Sequence, residues 1–89
     1  MLDDVDAALN WFDVSIVLLE QEQDIFALAR TQSNRAALNL DHHEYLDEAR
    51  ELLYQAEAVQ RTLQDRAGLV FTLHNIRVLR GLILSDIDA

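Results

Sequence analysis

The sequence predicts an all-α protein built from four helices. Apolar residues make up 51% of its 89 residues, and they recur at steps of three and four, as on one face of a helix. Proline is absent and glycine occurs only twice, which favours long helices joined by short turns. The chain is short enough to be one domain. The expected helices cover residues 4–21, 25–39, 43–62 and 66–84.

Aspartates precede the expected helices and are good caps, because a short carboxylate accepts hydrogen bonds from the free amides of a first turn. Asp3 and Asp4 can cap the first helix, and Asp24 the second. The first helix is apolar on more than one side, so we expect more than one neighbour to cover it. The second has a polar middle, residues 30–35, which leaves one face unsuited to a core.

The third helix has the most regular apolar spacing in the chain. Asp41 and Glu44 have the spacing of a capping box, which predicts that this helix starts near residue 43. Asp65 is the expected cap of the fourth helix. The fourth helix, like the first, is more apolar than one neighbour could cover.

Two stretches of the chain share residues at the same spacing. The matching pairs, all 41 positions apart (65 − 24 = 41), are Asp24/Asp65, Leu28/Leu69, Thr31/Thr72 and Asn34/Asn75. Further pairs at this offset are Asp6/Asp47, Ala8/Ala49, Gln23/Gln64 and Leu38/Leu79. A fixed period of about 20–50 residues indicates a protein made of repeats.

The repeat resembles the tetratricopeptide repeat. Ala8-x3-Phe12 and Ala49-x3-Leu53 are similar to one element of that family's pattern. The Asp-x9-Asn stretches, each followed by an apolar helix, look like the first helix of its longer variants, as in kinesin light chains and bacterial scaffold proteins. The resemblance implies a short array of antiparallel helices: half a repeat, one full repeat over residues 25–62, and another half.

The sequence departs from the family pattern after each asparagine. The usual Leu-Gly pair is Arg35-Ala36 in the first copy and Ile76-Arg77 in the second, and the terminal proline is missing. Ala36 is small enough for close helix packing, whereas Arg77 is not. The second copy is therefore expected to pack differently there or to face solvent.

The resemblance also implies a function. In this family the first helices line a groove for extended peptides, and the asparagine bonds the peptide backbone. Carried over to this chain, the groove consists of Arg30, Ser33, Asn34, Ala37, Phe71, His74, Asn75 and Val78. The alternative is that Asn34 and Asn75 only bond a neighbouring helix. The predicted function is a non-catalytic scaffold or interaction module that binds a protein or peptide partner.

The phase of the repeat predicts self-association. Residues 84–89 match residues 2–7 at an offset of 82, twice 41, and neither outer helix has the polar surface of a capping repeat. Either the chain is a piece of a longer array, or copies complete one another. The residues expected to mediate self-association are Trp11, Leu18, Leu73, Ile76, Leu82 and Ile83. A small helical bundle that mainly forms homo-oligomers is the alternative function.

Charge and composition narrow the possible partners. A net charge of −9 disfavours nucleic acid and anionic membranes and favours basic partners. There is no cysteine for a disulfide, and the start of the chain is acidic where a secretory signal is basic. Uninterrupted apolar runs, such as residues 16–19, are far too short to span a bilayer. A soluble, cytoplasmic protein is expected.

No catalytic, cofactor or metal site is predicted. His43 and Asp47 lie four apart, but two side chains do not make a metal site, and a solvated helix start accounts for them better. Gly68 and Gly81 are isolated within an expected helix and form no phosphate-binding loop. The chain is therefore not expected to be an enzyme.

Overall fold

The computed structural model describes residues 4–88, and it describes side chains up to residue 85. It contains four helices: α1 (Asp4–Glu22), α2 (Ile25–Asp41), α3 (Leu46–Leu63) and α4 (Arg66–Asp88). No strand occurs within these residues. The prediction of an all-α, four-helix protein is confirmed. Asp3, an expected cap of α1, lies outside the described residues.

Helix α2 is the centre of the packing. It contacts all three other helices, whereas α1 contacts α2 alone and α4 contacts α2 and α3. The molecule is a slab with extents of 43 × 37 × 17 Å, and a helix with its side chains is about 10–12 Å wide. A slab this thin leaves large parts of the outer helices in contact with solvent.

The core lies where α2, α3 and α4 meet. Its buried residues are Ala36, Leu40, Ala49, Leu53, Ile76 and Leu79. The alanines let the helix backbones approach closely, and the leucines fill the space between them. Helix α1 has no buried residue, so the expectation that more than one neighbour covers it is wrong for a single chain.

The polar middle of α2 lies partly inside the protein, contrary to the expectation that it is unsuited to a core. Gln32 and Ser33 are both buried. The Gln32 amide Nε2 donates to Gln55 Oε1 of α3 at 3.2 Å, and Thr72 Oγ1 of α4 donates to Ser33 Oγ at 2.9 Å. Pairing removes the cost of burying these groups, so a polar stretch can still face two helices.

Arg35 joins α1 to the rest of the protein. Its Nε donates to Asp13 Oδ1 of α1 at 2.6 Å, and its Nη1 donates to Glu48 Oε2 of α3 at 3.3 Å. Both carboxylates are exposed, and exposed ion pairs contribute about 0–1 kcal/mol each. The contact fixes the position of α1 more than it stabilises the fold.

The turn between α1 and α2 is a Schellman motif followed by an aspartate cap. Gln23 N–H donates to Glu20 O at 3.2 Å, and Asp24 N–H donates to Leu19 O at 3.1 Å. Gln23 has a left-handed φ of 58°. The Asp24 carboxylate then accepts from Ala27 N–H at 3.1 Å, which confirms it as the cap of α2.

The turn between α3 and α4 repeats this geometry 41 residues later. Gln64 N–H donates to Arg61 O at 3.2 Å, and Asp65 N–H donates to Gln60 O at 2.9 Å. Gln64 has a φ of 56°, and the Asp65 carboxylate accepts from Gly68 N–H at 3.2 Å. The internal repeat seen in the sequence is therefore also a repeat of local backbone structure.

The turn between α2 and α3 differs from its prediction. Asp41 is the last residue of α2, and α3 starts at Leu46, so the expected capping box of Asp41 and Glu44 does not form. His43 (φ 52°) and Tyr45 (φ 53°) are both left-handed, and no side chain caps α3. Two left-handed residues without glycine give no recognisable turn signal in a sequence.

Gln64→Gly is expected to stabilise the protein. A left-handed conformation costs a residue with a Cβ about 1–2 kcal/mol, which glycine avoids, although glycine loses more chain entropy on folding. The net gain should be about 0.5–1 kcal/mol in the free energy of unfolding, measured by urea denaturation followed by circular dichroism. The control Gln21→Gly, inside α1, should instead destabilise by about 0.5–1 kcal/mol. A loss of stability in Gln64→Gly would contradict the turn geometry.

The two glycines of α4 should respond oppositely to alanine. A Cβ at Gly81 meets nothing within 4 Å, so Gly81→Ala should raise the free energy of unfolding by about 0.5–1 kcal/mol through helix propensity. A Cβ at Gly68 would overlap Asp65 Oδ2 and lie 2.8 Å from Gln60 Nε2. Gly68→Ala should therefore lower the free energy of unfolding by about 1–3 kcal/mol, the usual cost of overpacking. Equal effects in the same denaturation experiment would refute this distinction.

Candidate functional site

A partly buried ion pair joins α2 to the start of α4. Arg30 Nε donates to Asp65 Oδ2 at 2.8 Å, and Arg30 Nη2 donates to Asp65 Oδ1 at 2.6 Å. The Asp65 side chain is only 4% exposed, whereas that of Arg30 is 44% exposed. Two parallel hydrogen bonds of this kind fix geometry as well as charge, so the pair sets the position of α4 beside α2.

The Asp65 carboxylate has three hydrogen-bond donors. The hydrogen bonds from Arg30 lower the pKa of Asp65 below its ordinary value; burial opposes this, and the N–H of Gly68 lowers the pKa further. The hydrogen bond with Asp65 likewise raises the pKa of Arg30 above its ordinary value. Asp65 is thus both the cap of α4 and the partner of α2, and it stays ionised at neutral pH.

Arg30 also covers an aromatic ring. Its guanidinium carbon lies 4.6 Å from the centroid of Phe26, one helical turn earlier. The ring and Asp65 together hold the guanidinium in place, and the positive charge is already matched by a carboxylate. Arg30 therefore presents a fixed hydrogen-bonding surface and not a free cation.

A depression of about 160 Å³ lies beside this ion pair. Its lining residues come from α2, α3 and α4: Arg30, Ser33, Asn34, Gln60, Ala67, Gly68 and Phe71. Four of the eight residues of the predicted groove are among them. The depression has an apolar wall, from Phe71 and Ala67, and a polar one that includes Asn34.

A buried amide that lines the depression, that of Gln60, has unpaired atoms, as does the buried amide of Asn75 elsewhere, on α4. Neither Gln60 Nε2 nor Gln60 Oε1 has a hydrogen-bond partner within the described part of the chain, and the residue is 1% exposed. The same holds for Asn75 Nδ2. Buried amide groups normally find partners, so an unpaired glutamine beside a depression marks a position where a ligand could supply them after a small movement.

The structure does not bring the whole predicted groove together. Asn75 is buried, while His74 and Val78 are exposed and Ala37 is half-buried; none of the four lines the depression. Ser33 is also buried, with its hydroxyl paired to Thr72, so its contribution to the depression is limited.

Three residues that line the depression were not predicted from the sequence: Gln60, Ala67 and Gly68. Gln60 follows Ala49, Leu53 and Ala56 at helical spacing, so a polar residue on the buried stripe of α3 was the available signal. Gly68 is the second signal, because no larger residue fits beside the Asp65 carboxylate.

Some of the residues predicted to mediate self-association are on the surface. Trp11, Leu18, Leu73 and Ile83 are exposed. Leu82 is half-buried and packs against the core, and Ile76 is itself part of the core. Other large apolar side chains of α1 and α4 are exposed as well: Val14, Val17, Val70, Phe71, Val78 and Leu84. The outer faces of α1 and α4 are therefore apolar and open to solvent within one chain.

A second depression, of about 260 Å³, lies between α1, α2 and α3. It is lined by Asp13, Ile16, Arg35, Glu48, Glu51, Leu52 and Gln55. None of these residues belongs to the predicted site, and two of the carboxylates already pair with Arg35.

In comparisons with known proteins, no family model, no curated protein and no solved structure matches this chain. The resemblance to tetratricopeptide repeats stays a prediction.

Within the described residues no three His, Asp or Glu side chains are grouped as metal ligands would be. Residues 66–85 of α4 are long and apolar enough to cross a membrane by length and composition alone. Thr72, Asn75, Ile76 and Leu79 of this segment are nevertheless buried inside the protein.

The Arg30–Asp65 pair predicts a specific pH dependence. Because the folded pKa of Asp65 is lowered, its contribution to stability is complete above the unfolded pKa of about 3.9 and is lost as the pH falls through the folded pKa. Asp65→Asn should thus be clearly less stable than the wild type at neutral pH, and the difference should shrink steadily below about pH 4.

Asp24→Asn is the matched control for this prediction. Asp24 caps α2 in the same geometry, but its carboxylate has no arginine partner within the described residues. Urea denaturation across the pH range should show a smaller difference for this variant. A difference for Asp65→Asn that does not depend on pH would contradict the ionised pair.

Proposed function

We propose that this chain is a non-catalytic protein-interaction module of tetratricopeptide type, consisting of half a repeat, one full repeat and half a repeat. It binds an extended peptide, or a neighbouring repeat, along α2 and α4. The observation that carries this proposal is the depression beside the Arg30–Asp65 pair, with an apolar wall, an exposed amide at Asn34 and the unpaired amide of Gln60.

The chemistry of the depression suits a peptide. The Asn34 side-chain amide can donate one hydrogen bond to a peptide carbonyl and accept one from a peptide N–H. Phe71 offers an aromatic surface for one apolar side chain. Gln60, which also lines the depression, has a buried donor and a buried acceptor without partners in the described part of the chain. At about 160 Å³ the depression is smaller than the roughly 300–1,000 Å³ typical of sites for small molecules and cofactors. It has room for one side chain of a longer ligand.

Charge supports a preference among peptides. The chain carries a net charge of −9, and Arg30 is neutralised by Asp65. Basic peptides are therefore favoured by long-range attraction, which weakens as salt shortens the Debye length from about 30 Å at 0.01 M to about 8 Å at 0.15 M. The contacts inside the depression are short-range and should be much less sensitive to salt.

The alternative function is a small helical bundle whose main role is homo-oligomerisation. The observation that favours it is the exposed apolar surface of α1 and α4, since α1 has no buried residue of its own. Both functions include self-association. They differ in whether the depression beside Arg30 takes a foreign peptide.

A selection from a random library of linear peptides displayed on phage tests the peptide function. Selected peptides should bind the purified chain, measured by fluorescence anisotropy. The double variant Asn34→Ala/Phe71→Ala should bind them at least about tenfold more weakly, because it loses both the amide and the aromatic wall. Both side chains are exposed, so the fold should be retained by circular dichroism.

Asn10→Ala is the matched control, since Asn10 is an exposed helical asparagine on α1, away from the depression. Its affinity should stay within about twofold of the wild type. Failure to enrich any peptide, or peptides that bind the double variant as well as the wild type, would refute the groove and leave the homo-oligomeric bundle as the better account.

A further inference from the structure

One stripe of α2 is covered by α3. This stripe, here named the α2 stripe, consists of Ile25, Ala29, Gln32 and Ala36. The last three are buried, and Gln32 bonds Gln55 of α3. Ile25 lies beside Ala58, Val59, Thr62 and Leu63 of α3, with which it lines one depression. The α2 stripe thus shows how one helix of this repeat receives the next.

The equivalent stripe of α4 is uncovered. Adding 41 to each position gives Arg66, Val70, Leu73 and Arg77, here named the α4 stripe. All four residues are exposed, and Val70 is 68% exposed although its counterpart Ala29 is only 1% exposed. The turns before α2 and α4 have the same hydrogen bonds, so the two helices begin in the same way and the stripes are comparable.

The complementary stripe is uncovered on α1. Four α3 residues mark the side of α3 that meets α2: Gln55 bonds Gln32, Leu52 lines a depression with Arg35, and Val59 and Thr62 line one with Ile25. Subtracting 41 from each position gives Trp11, Val14, Leu18 and Gln21, here named the α1 stripe. All four are exposed, and Trp11 is 63% exposed. Each chain therefore exposes both halves of a contact that it already makes internally between α2 and α3.

We propose that α1 of one copy docks on the α4 stripe of a second copy, in the register in which α3 docks on α2. This inference rests on the self-association included in the proposed function and adds its partner surfaces, its register and its direction. The occupant of each stripe is a second copy of this chain.

Charge complementarity supports this pairing over like-with-like contacts. Helix α1 contains five acidic residues and no basic one. Residues 66–85 of α4 contain three arginines and no acidic residue; the acidic residues of α4 are confined to its end, at 86 and 88. Two α1 helices, or two α4 helices, would bring like charges together, whereas α1 against α4 brings opposite charges together.

The register also places one charged pair. Within one chain, Ile25 of α2 lies near Leu63 of α3. The same 41-residue offset gives Arg66 on α4 of one copy and Glu22 on α1 of the other, so these opposite charges lie near each other in the docked pair. Neither Arg66 nor Glu22 has an ion-pair partner within the described residues.

The α1 and α4 stripes are different surfaces, so the contact is heterologous, and copies add head to tail into rings or open chains.

Two variants that each block one stripe test the inference by complementation. Trp11→Glu blocks the α1 stripe and removes the only tryptophan. Val70→Glu blocks the α4 stripe and keeps Trp11. By sedimentation velocity the wild type should self-associate at micromolar concentration, and each variant alone should do so at least about tenfold more weakly. The control Val78→Glu, which alters an exposed valine off the stripe, should associate like the wild type.

Mixing the two blocked variants in equal amounts should restore association and stop it at a heterodimer, because each copy retains one open stripe. The emission of Trp11 should shift to shorter wavelength on mixing, since the α1 stripe of the Val70→Glu copy becomes covered. This rescue also shows that both variants are folded.

Three outcomes would overturn the inference: a wild type that stays monomeric, a mixture that does not associate, or blocked variants that each associate like the wild type. Peptide binding by Val70→Glu separates these failures from failure of the proposed function, because the depression beside Arg30 does not include Val70. Peptide binding without complementation would refute head-to-tail docking alone.

Discussion

The buried carboxylate of Asp65 is the group on which the arrangement of the helices depends. It accepts an N–H of the first turn of α4 and, at the same time, two hydrogen bonds from Arg30 of α2. It also follows α3 by only two residues, so one side chain determines how three helices meet. Gly68 is required beside it because a Cβ would occupy the place of the carboxylate.

The same contact shapes the candidate site. Asp65 and Phe26 hold the half-exposed guanidinium of Arg30 in place, which gives the depression a fixed polar edge. No comparable contact covers the outer sides of α1 and α4 within the described residues. Large apolar side chains on these two helices are therefore exposed. A domain of this size buries only about 60–65% of the surface that its unfolded chain exposes, and here large apolar side chains such as Trp11 and Val70 are among what stays exposed.

The sequence predicted the helices well because their signals are local. The apolar spacing and the caps Asp24 and Asp65 depend only on near neighbours, and the 41-residue offset reappears as repeated turn geometry. The predicted start of α3 was wrong because His43 and Tyr45 adopt left-handed conformations, which glycine normally supplies. Gln60, Ala67 and Gly68 of the depression were not predicted, because contacts across 35 positions, such as that of Arg30 with Asp65, leave no periodic pattern in the sequence.

The most direct test of the central role of Asp65 is a double-mutant cycle in which Arg30→Ala, Asp65→Ala and the double variant are compared by urea denaturation at neutral pH. If the two groups act as one unit, the double variant loses clearly less stability than the sum of the single losses. Asp65→Ala should also cost more than Asp24→Ala, which removes a cap without an arginine partner. Additive losses in the cycle, with equal costs for the two caps, would contradict the account.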